Sequence, residues 1–191
     1  YTVDQAVADK AVVPLLYEGR MVPQVVHEET IDRYFDKICG WMSDAQRADM
    51  KKKFSHADQL NQTQQRIYAI AWDISQHFRE NWQGSKFKAQ LVAPRKRIAI
   101  LYKQYLDEIG IVSSEVLITS PDTREGEDEA FGDTSNVEVA FWKRMMDEYG
   151  TAKKYEASII NRFKNSDKPE IIIVVDKLLT GFDEPRNTVL Y

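Results

Sequence analysis

Two stretches of this chain combine residue types that bind phosphate or a sugar hydroxyl. In the first, an apolar run ends at Ala93 and passes through Pro94 into Arg95, Lys96 and Arg97. Pro94 suits the first position of a helix, so the three cations fall where a helix offers free amides and the positive end of its dipole. That combination attracts an anion, a phosphate above all. A solvated basic first turn is the plain alternative. The second stretch, Asp176-Lys177-Leu178-Leu179-Thr180-Gly181-Phe182-Asp183-Glu184-Pro185, follows the most apolar run of the chain. A short hydroxyl (Thr180) and a carboxylate (Asp183) around Gly181 can hydrogen-bond a ribose, a phosphate or a neighbouring lobe. They also build an ordinary Asx-type turn. In open parallel α/β sheets ligands bind at the carboxyl ends of strands, and both stretches follow predicted strands.

Other chemistries are poorly served. His27, His56 and His77 are scattered, with no pairing at metal-ligand spacing, so no metal site is expected. Cys39, the one cysteine, lies on an apolar helical face and reads as core; alone it excludes an intramolecular disulfide and a cysteine metal cluster. A reducing cytoplasm fits. Lys51-Lys52-Lys53 reads as the wet side of a helix, and no GxxxxGK[ST] P-loop occurs. No apolar run approaches the roughly 20 residues of a membrane helix. The formal charge of −4 argues against indiscriminate coating of nucleic acid. Charge is nevertheless segregated: Lys86, Lys88, Arg95, Lys96, Arg97 and Lys103 face no acid between them, whereas residues 122–133 are acidic.

The elements that must position these residues follow from periodicity. Ala11 to Tyr17 reads as a strand that Pro14 places at an edge. Helices are predicted from Thr30 to Cys39, from Ser43 to about Phe54, and through Ile67, Ile70, Ala71, Ile74 and Phe78 to near Gly84. Strand and helix then alternate. Ala89 to Ala93 is a strand, with a helix from Pro94 to about Ile109. Val116 to Thr119 is the next strand, Val137 to Tyr149 a helix ended by Gly150, and Thr151 caps another with Tyr155, Ile159, Ile160 and Phe163 on one face. Ile171 to Val175 has the unbroken apolar character of a central parallel strand, and Thr188 to Tyr191 begins one more. Alternation of this kind implies a parallel sheet with right-handed crossovers.

At the two strand ends the chain resembles a known family. Phe87-Lys88-Ala89-Gln90-Leu91-Val92-Ala93-Pro94-Arg95-Lys96-Arg97 resembles helicase motif IV in motor subunits of type I restriction enzymes, and Ile171 to Pro185 resembles motif V. Tyr1 to Asp9 and Val12 to Glu18 are similar to the stretch after the first motor lobe, and Asn61 to Trp72 to the inter-motif helix. Two positions depart from the family: Val175 stands where a Thr is usual, and Arg95 where a hydroxyl is common.

The resemblance implies an α/β fold, a RecA-like parallel sheet flanked by helices with an N-terminal helical subdomain. Residues 1–27 would be an edge strand and linker from the preceding motor lobe, 28–84 the helical subdomain, and 85–191 the second RecA-like lobe, truncated at its C-terminal end. It further implies a bacterial, cytoplasmic, ATP-dependent type I site-specific deoxyribonuclease that translocates duplex DNA alongside methylation and specificity subunits. Thr180, Gly181 and Asp183 would face nucleotide; Arg95, Lys96 and Arg97 would hold the DNA backbone on the same edge of the sheet. ATP and Mg²⁺ would serve the full-length subunit. Neither is expected to bind this stretch alone, which carries no catalytic residue of its own and is expected to be inactive. Another superfamily-two helicase, such as a DNA-repair enzyme, or a non-catalytic docking module remain the alternatives.

Overall fold

A computed structural model describes residues 2–14, 16–20, 62–121 and 134–191. The helices expected over 30–39 and 43–54, with Cys39, His27, His56 and the three lysines, lie outside the described residues, as does the acidic loop. Nine elements are described: α1 (Val3–Ala8), α2 (Gln62–Asn81), β1 (Lys88–Val92), α3 (Lys96–Ile109), β2 (Ser114–Leu117), α4 (Thr134–Tyr149), α5 (Ala152–Asn165), β3 (Ile171–Val174) and β4 (Asn187–Leu190).

The four strands form one parallel sheet in the order β2-β3-β1-β4. Ile171, Ile172, Ile173 and Val174 have no accessible surface, because β3 is paired on both sides and covered on both faces. The edge strand β4 alternates between half-buried and exposed residues instead. The chain moves from β1 past β3 to β2 through α3, then back to β3 through α4 and α5. The right-handed rule for such crossovers assigns α3 and α5 to opposite faces, and α4 touches both of them. Tyr155 of α5 donates its hydroxyl hydrogen bond to the Val116 carbonyl of β2. α2 packs along α3, and Tyr68, Trp72 and Phe78 belong to the same buried cluster as the strands. The predicted helical face of α2 is therefore part of the sheet's own core.

Three local expectations need correction. Residues 11–14 and 16–20 form no strand; Val13, Leu16 and Tyr17 are exposed, and no strand among the described residues pairs with them. A short helix, α1, precedes them, held by a capping box between Thr2 and Gln5 that the periodicity of so short a segment does not announce. β2 starts two residues earlier than its apolar run. Ser113 and Glu170 explain this: the Ser113 amide and hydroxyl donate to the Glu170 carboxylate at 2.7 and 2.9 Å, and the Ser113 carbonyl accepts from the Glu170 and Ile171 amides. That lock sets the register, so Ser114 and Glu115 join the ladder despite their polarity. Finally, α3 begins at Lys96 with Arg95 as its cap residue, so Pro94 lies before the helix, not in its first turn.

Candidate nucleic-acid and nucleotide interface

β1, β2 and β3 end level: Val92 pairs with Val174, and Leu117 with Val174. The segments that leave their carboxyl ends (Ala93 to Arg97, Ile118 to Pro121 and Val175 to Lys177) therefore gather at one edge. The α3 cap residue Arg95 is extended (φ −150°, ψ 156°) and its carbonyl accepts from the Ala99 amide at 3.0 Å, closing a first turn that carries no acid. Arg95 is exposed and Arg97 half-buried. Lys96 is buried, and its ammonium donates to the Ser120 carbonyl at 3.1 Å. The expected wet helix start thus holds for Arg95 and fails for Lys96, whose side chain ties the end of β1 to the end of β2. A cleft of about 210 Å³ opens beside it, lined in part by Ser120, Trp142, Glu156 and Lys177. Lys177 and Glu156 form an ion pair across it at 2.5 Å.

The second stretch takes a different course. β4 is parallel to β1, so the chain must travel back the length of the sheet between Val174 and Asn187. It does so without a helix. The Leu178 carbonyl accepts from the Gln90 side chain, midway along β1, at 3.4 Å. Phe182 packs its ring 6.2 Å from Phe163 near the end of α5. The Lys164 ammonium lies 5.0 Å over the Phe182 ring and donates to the Asp183 carbonyl at 2.5 Å. Arg186 donates to the Phe163 carbonyl at 3.1 Å. Two residues of this return path adopt left-handed backbone, Leu178 (φ 61°) and Gly181 (φ 68°). Gly181 has open space around it, so the backbone angle, not close approach, is what calls for glycine there. Leu178 adopts such an angle without that freedom, a strain found most often near functional sites.

Thr180, Gly181 and Asp183 are all exposed. Asp183, however, sits against the C-terminal end of α5, at the edge where the strands begin. The expectation that Thr180 to Asp183 share an edge with Arg95 to Arg97 is not met; only Asp176 and Lys177 of that stretch leave beside the basic helix start.

Lys88 is a residue whose role the sequence concealed. It belongs to the run of cations, yet only 2% of it is exposed, and its ammonium donates to the carbonyls of Ser166 (2.6 Å), Pro169 (2.7 Å) and Asp167 (3.3 Å). Burial lowers its pKa, with the nearby Arg186 adding to the effect. It closes the end of α5 onto β1 and cannot serve a ligand. Its neighbours in the β1 strand, all apolar or amide, offer no local hint of this.

Among the described residues, no group of three or more His, Cys, Asp or Glu side chains could hold a metal ion, and no helix is long and apolar enough to cross a membrane. The chain matches the model of type I restriction enzyme subunit R domain 3 over residues 28–191, and that of the SWI2/SNF2 ATPase over residues 1–48. Along its whole length it is 25% identical to the "Putative type I restriction enzyme MjaIXP endonuclease subunit" of Methanocaldococcus jannaschii, covering 17% of that protein. It is 27% identical to the corresponding MjaVIIP protein of the same organism (19% covered) and 25% identical to the type I restriction enzyme HindI endonuclease subunit of Haemophilus influenzae (17% covered). The chain therefore spans less than a fifth of these relatives. No solved structure matches it. A helix-flanked parallel sheet with this sequence match, over all of residues 28–191, belongs to the family of type I restriction enzyme subunit R domain 3.

Proposed function

We propose that this chain is the second motor lobe of an ATP-driven duplex-DNA translocase within the R subunit of a type I restriction endonuclease. The observation that most supports it is that one continuous chain matches an ATPase over residues 1–48 and the R-subunit domain over residues 28–191. In this reading Arg95 and Arg97 touch DNA phosphates at the carboxyl edge, and Lys96 holds the strand ends that present them. Thr180, Gly181 and Asp183 meet nucleotide or the opposing lobe on their own surface. The two candidate sites lie at different edges of the sheet, against the single edge expected of a motor lobe, so this reading rests on the sequence matches and each site is tested by itself. The lobe's share of catalysis is positioning and charge stabilisation during phosphoryl transfer, with Mg²⁺ held by the other lobe. Methylation and specificity subunits would complete the complex and choose the DNA site.

Two measurements on the full-length subunit test this. Replacing Arg95 and Arg97 by alanine should weaken binding to unrelated duplexes by similar factors. The slope of log affinity against log salt should also fall by roughly 0.9 for each phosphate that is no longer neutralised. An unchanged slope would reduce these cations to a solvated helix start. Asp183→Ala should cut ATP-driven translocation by about tenfold, the order of effect of removing one charge-assisted hydrogen bond, while leaving the fold intact, since the side chain is exposed. Normal translocation by the variant would make residues 180–183 a structural turn.

A further inference from the structure

Residues 16–20 form no regular element, and their apolar side chains find no cover: Leu16 is 92% and Tyr17 88% exposed. Among the described residues, the contacts that hold this segment are polar. Arg20 meets Asp73 of α2 in a two-pronged bond, Nε to Oδ2 at 2.7 Å and Nη2 to Oδ1 at 2.9 Å, while its Nη1 donates to Glu18 at 2.6 Å. Glu18 reaches His77 Nε2 at 3.5 Å, and the opposite ring nitrogen of His77 lies 2.7 Å from the Tyr191 hydroxyl just past β4. Asp73 and His77 are four residues apart, one turn of α2, so a single helix face receives both acidic and basic ends of the segment. A bidentate guanidinium–carboxylate pair fixes direction as well as distance. Arg20 and Asp73 keep 34% and 16% of their side-chain surface, so the pair is partly shielded from water yet stands outside the apolar core. Such a contact can open and re-form without exposing core.

The two sequence matches overlap over residues 28–48, between the two sides of this contact. Residues 16–20 fall only within the ATPase match, whereas Asp73, His77 and Tyr191 fall only within the R-subunit domain match. We infer that the Arg20–Asp73 clamp, backed by Glu18 and His77, fastens the connector from the ATPase portion onto the second lobe and couples movement of one to the other. Arg20 and Asp73 are positioning residues, remote from Asp183 and Arg95 in role. The inference rests on the motor reading above.

The test uses the full-length subunit assembled with its partners. Asp73→Asn keeps the side chain's shape and removes its charge. Amide hydrogen exchange in residues 16–20 should then speed up by about tenfold, as a local tie is broken. DNA-stimulated ATP hydrolysis should stay within about twofold, while base pairs moved per ATP fall by about fivefold or more, the scale of a typical intersite coupling. Exchanging the charges, Arg20→Asp with Asp73→Arg, should restore most of the coupling, as interacting pairs do in such cycles. Unchanged exchange in Asp73→Asn would overturn the clamp, and faster exchange with unchanged base pairs per ATP would overturn its coupling role. A wild-type subunit that does not translocate at all would sink the motor reading itself, an outcome distinct from a translocating subunit indifferent to Asp73.

Discussion

Phe163→Ala is expected to lower the stability of the chain by about 3–5 kcal/mol, the range for emptying a buried aromatic site. Phe163 has no accessible surface. Its ring stands between the Lys88 ammonium, 5.1 Å from the centroid, and the ring of Phe182 at 6.2 Å. Truncation therefore opens a cavity between α5 and the sheet and removes the seat of the return path that presents Thr180, Gly181 and Asp183. The cavity does not collapse easily, because β1 and β3 are held by their ladder and α5 by the Tyr155 bond to β2. Urea unfolding should show a lower midpoint with an unchanged slope. In the full-length subunit the same variant should impair ATP-coupled movement as strongly as Asp183→Ala does, although Phe163 meets no ligand. A loss below about 0.5 kcal/mol, the scale of a surface change, would show that neither the core nor the Phe182 loop leans on this ring.

A second large effect concerns alkaline pH. Burial pushes the phenols of Tyr68, Tyr155 and Tyr191 well above their usual range and Tyr105 up to about 12. A raised folded-state pKa means that the stabilisation is fully present below the unfolded value near 10 and is lost as pH rises through the folded value. Each such phenol contributes a slope of about 1.4 kcal/mol per pH unit in that window. Lys88 acts with the opposite sign: its pKa is lowered, so its penalty for folding eases as pH rises toward its ordinary value. Four phenols outweigh one amine. Urea midpoints should hold or rise slightly up to about pH 9, as the Lys88 penalty eases, and fall steeply above 10. Tyr105→Phe should make the fall shallower. Stability that persists unchanged to about pH 11 would mean these hydroxyls reach water in the folded state.

Much of the architecture was legible because its signals are local. The unbroken Ile171 to Val175 run can only be satisfied with cover on both faces, and β3 indeed lies between β1 and β2 with no exposed surface. The 3.6-residue spacing of Ile67, Ala71, Ile74 and Phe78 appears as the buried face of α2. Thr151 caps α5 through a bond from the Lys154 amide, as its type and position suggest, and Gly150 ends α4 with φ 78°. The strand predicted at Ala11 to Tyr17 failed for a reason invisible in its composition. An apolar run becomes a strand only when a partner offers a ladder, and none lies beside it among the described residues.

The residue types at the two strand ends, and the family they resemble, were determined by the sequence alone. Which of those side chains can meet a ligand was decided by contacts between residues distant along the chain. Lys88, Arg95 and Lys96 look alike as a cationic run. The carbonyls of Ser166, Asp167 and Pro169 take Lys88 inward, and that of Ser120 takes Lys96, whereas Arg95 stays exposed. A buried ammonium requires partners to offset its lost hydration, and whether they exist depends on how β1 lies against α5 and β2. Asp183 was separated from Arg95 by the same kind of constraint. β4 pairs parallel to β1, so the chain after β3 must recross the sheet, carrying Asp183 to the edge where the strands begin.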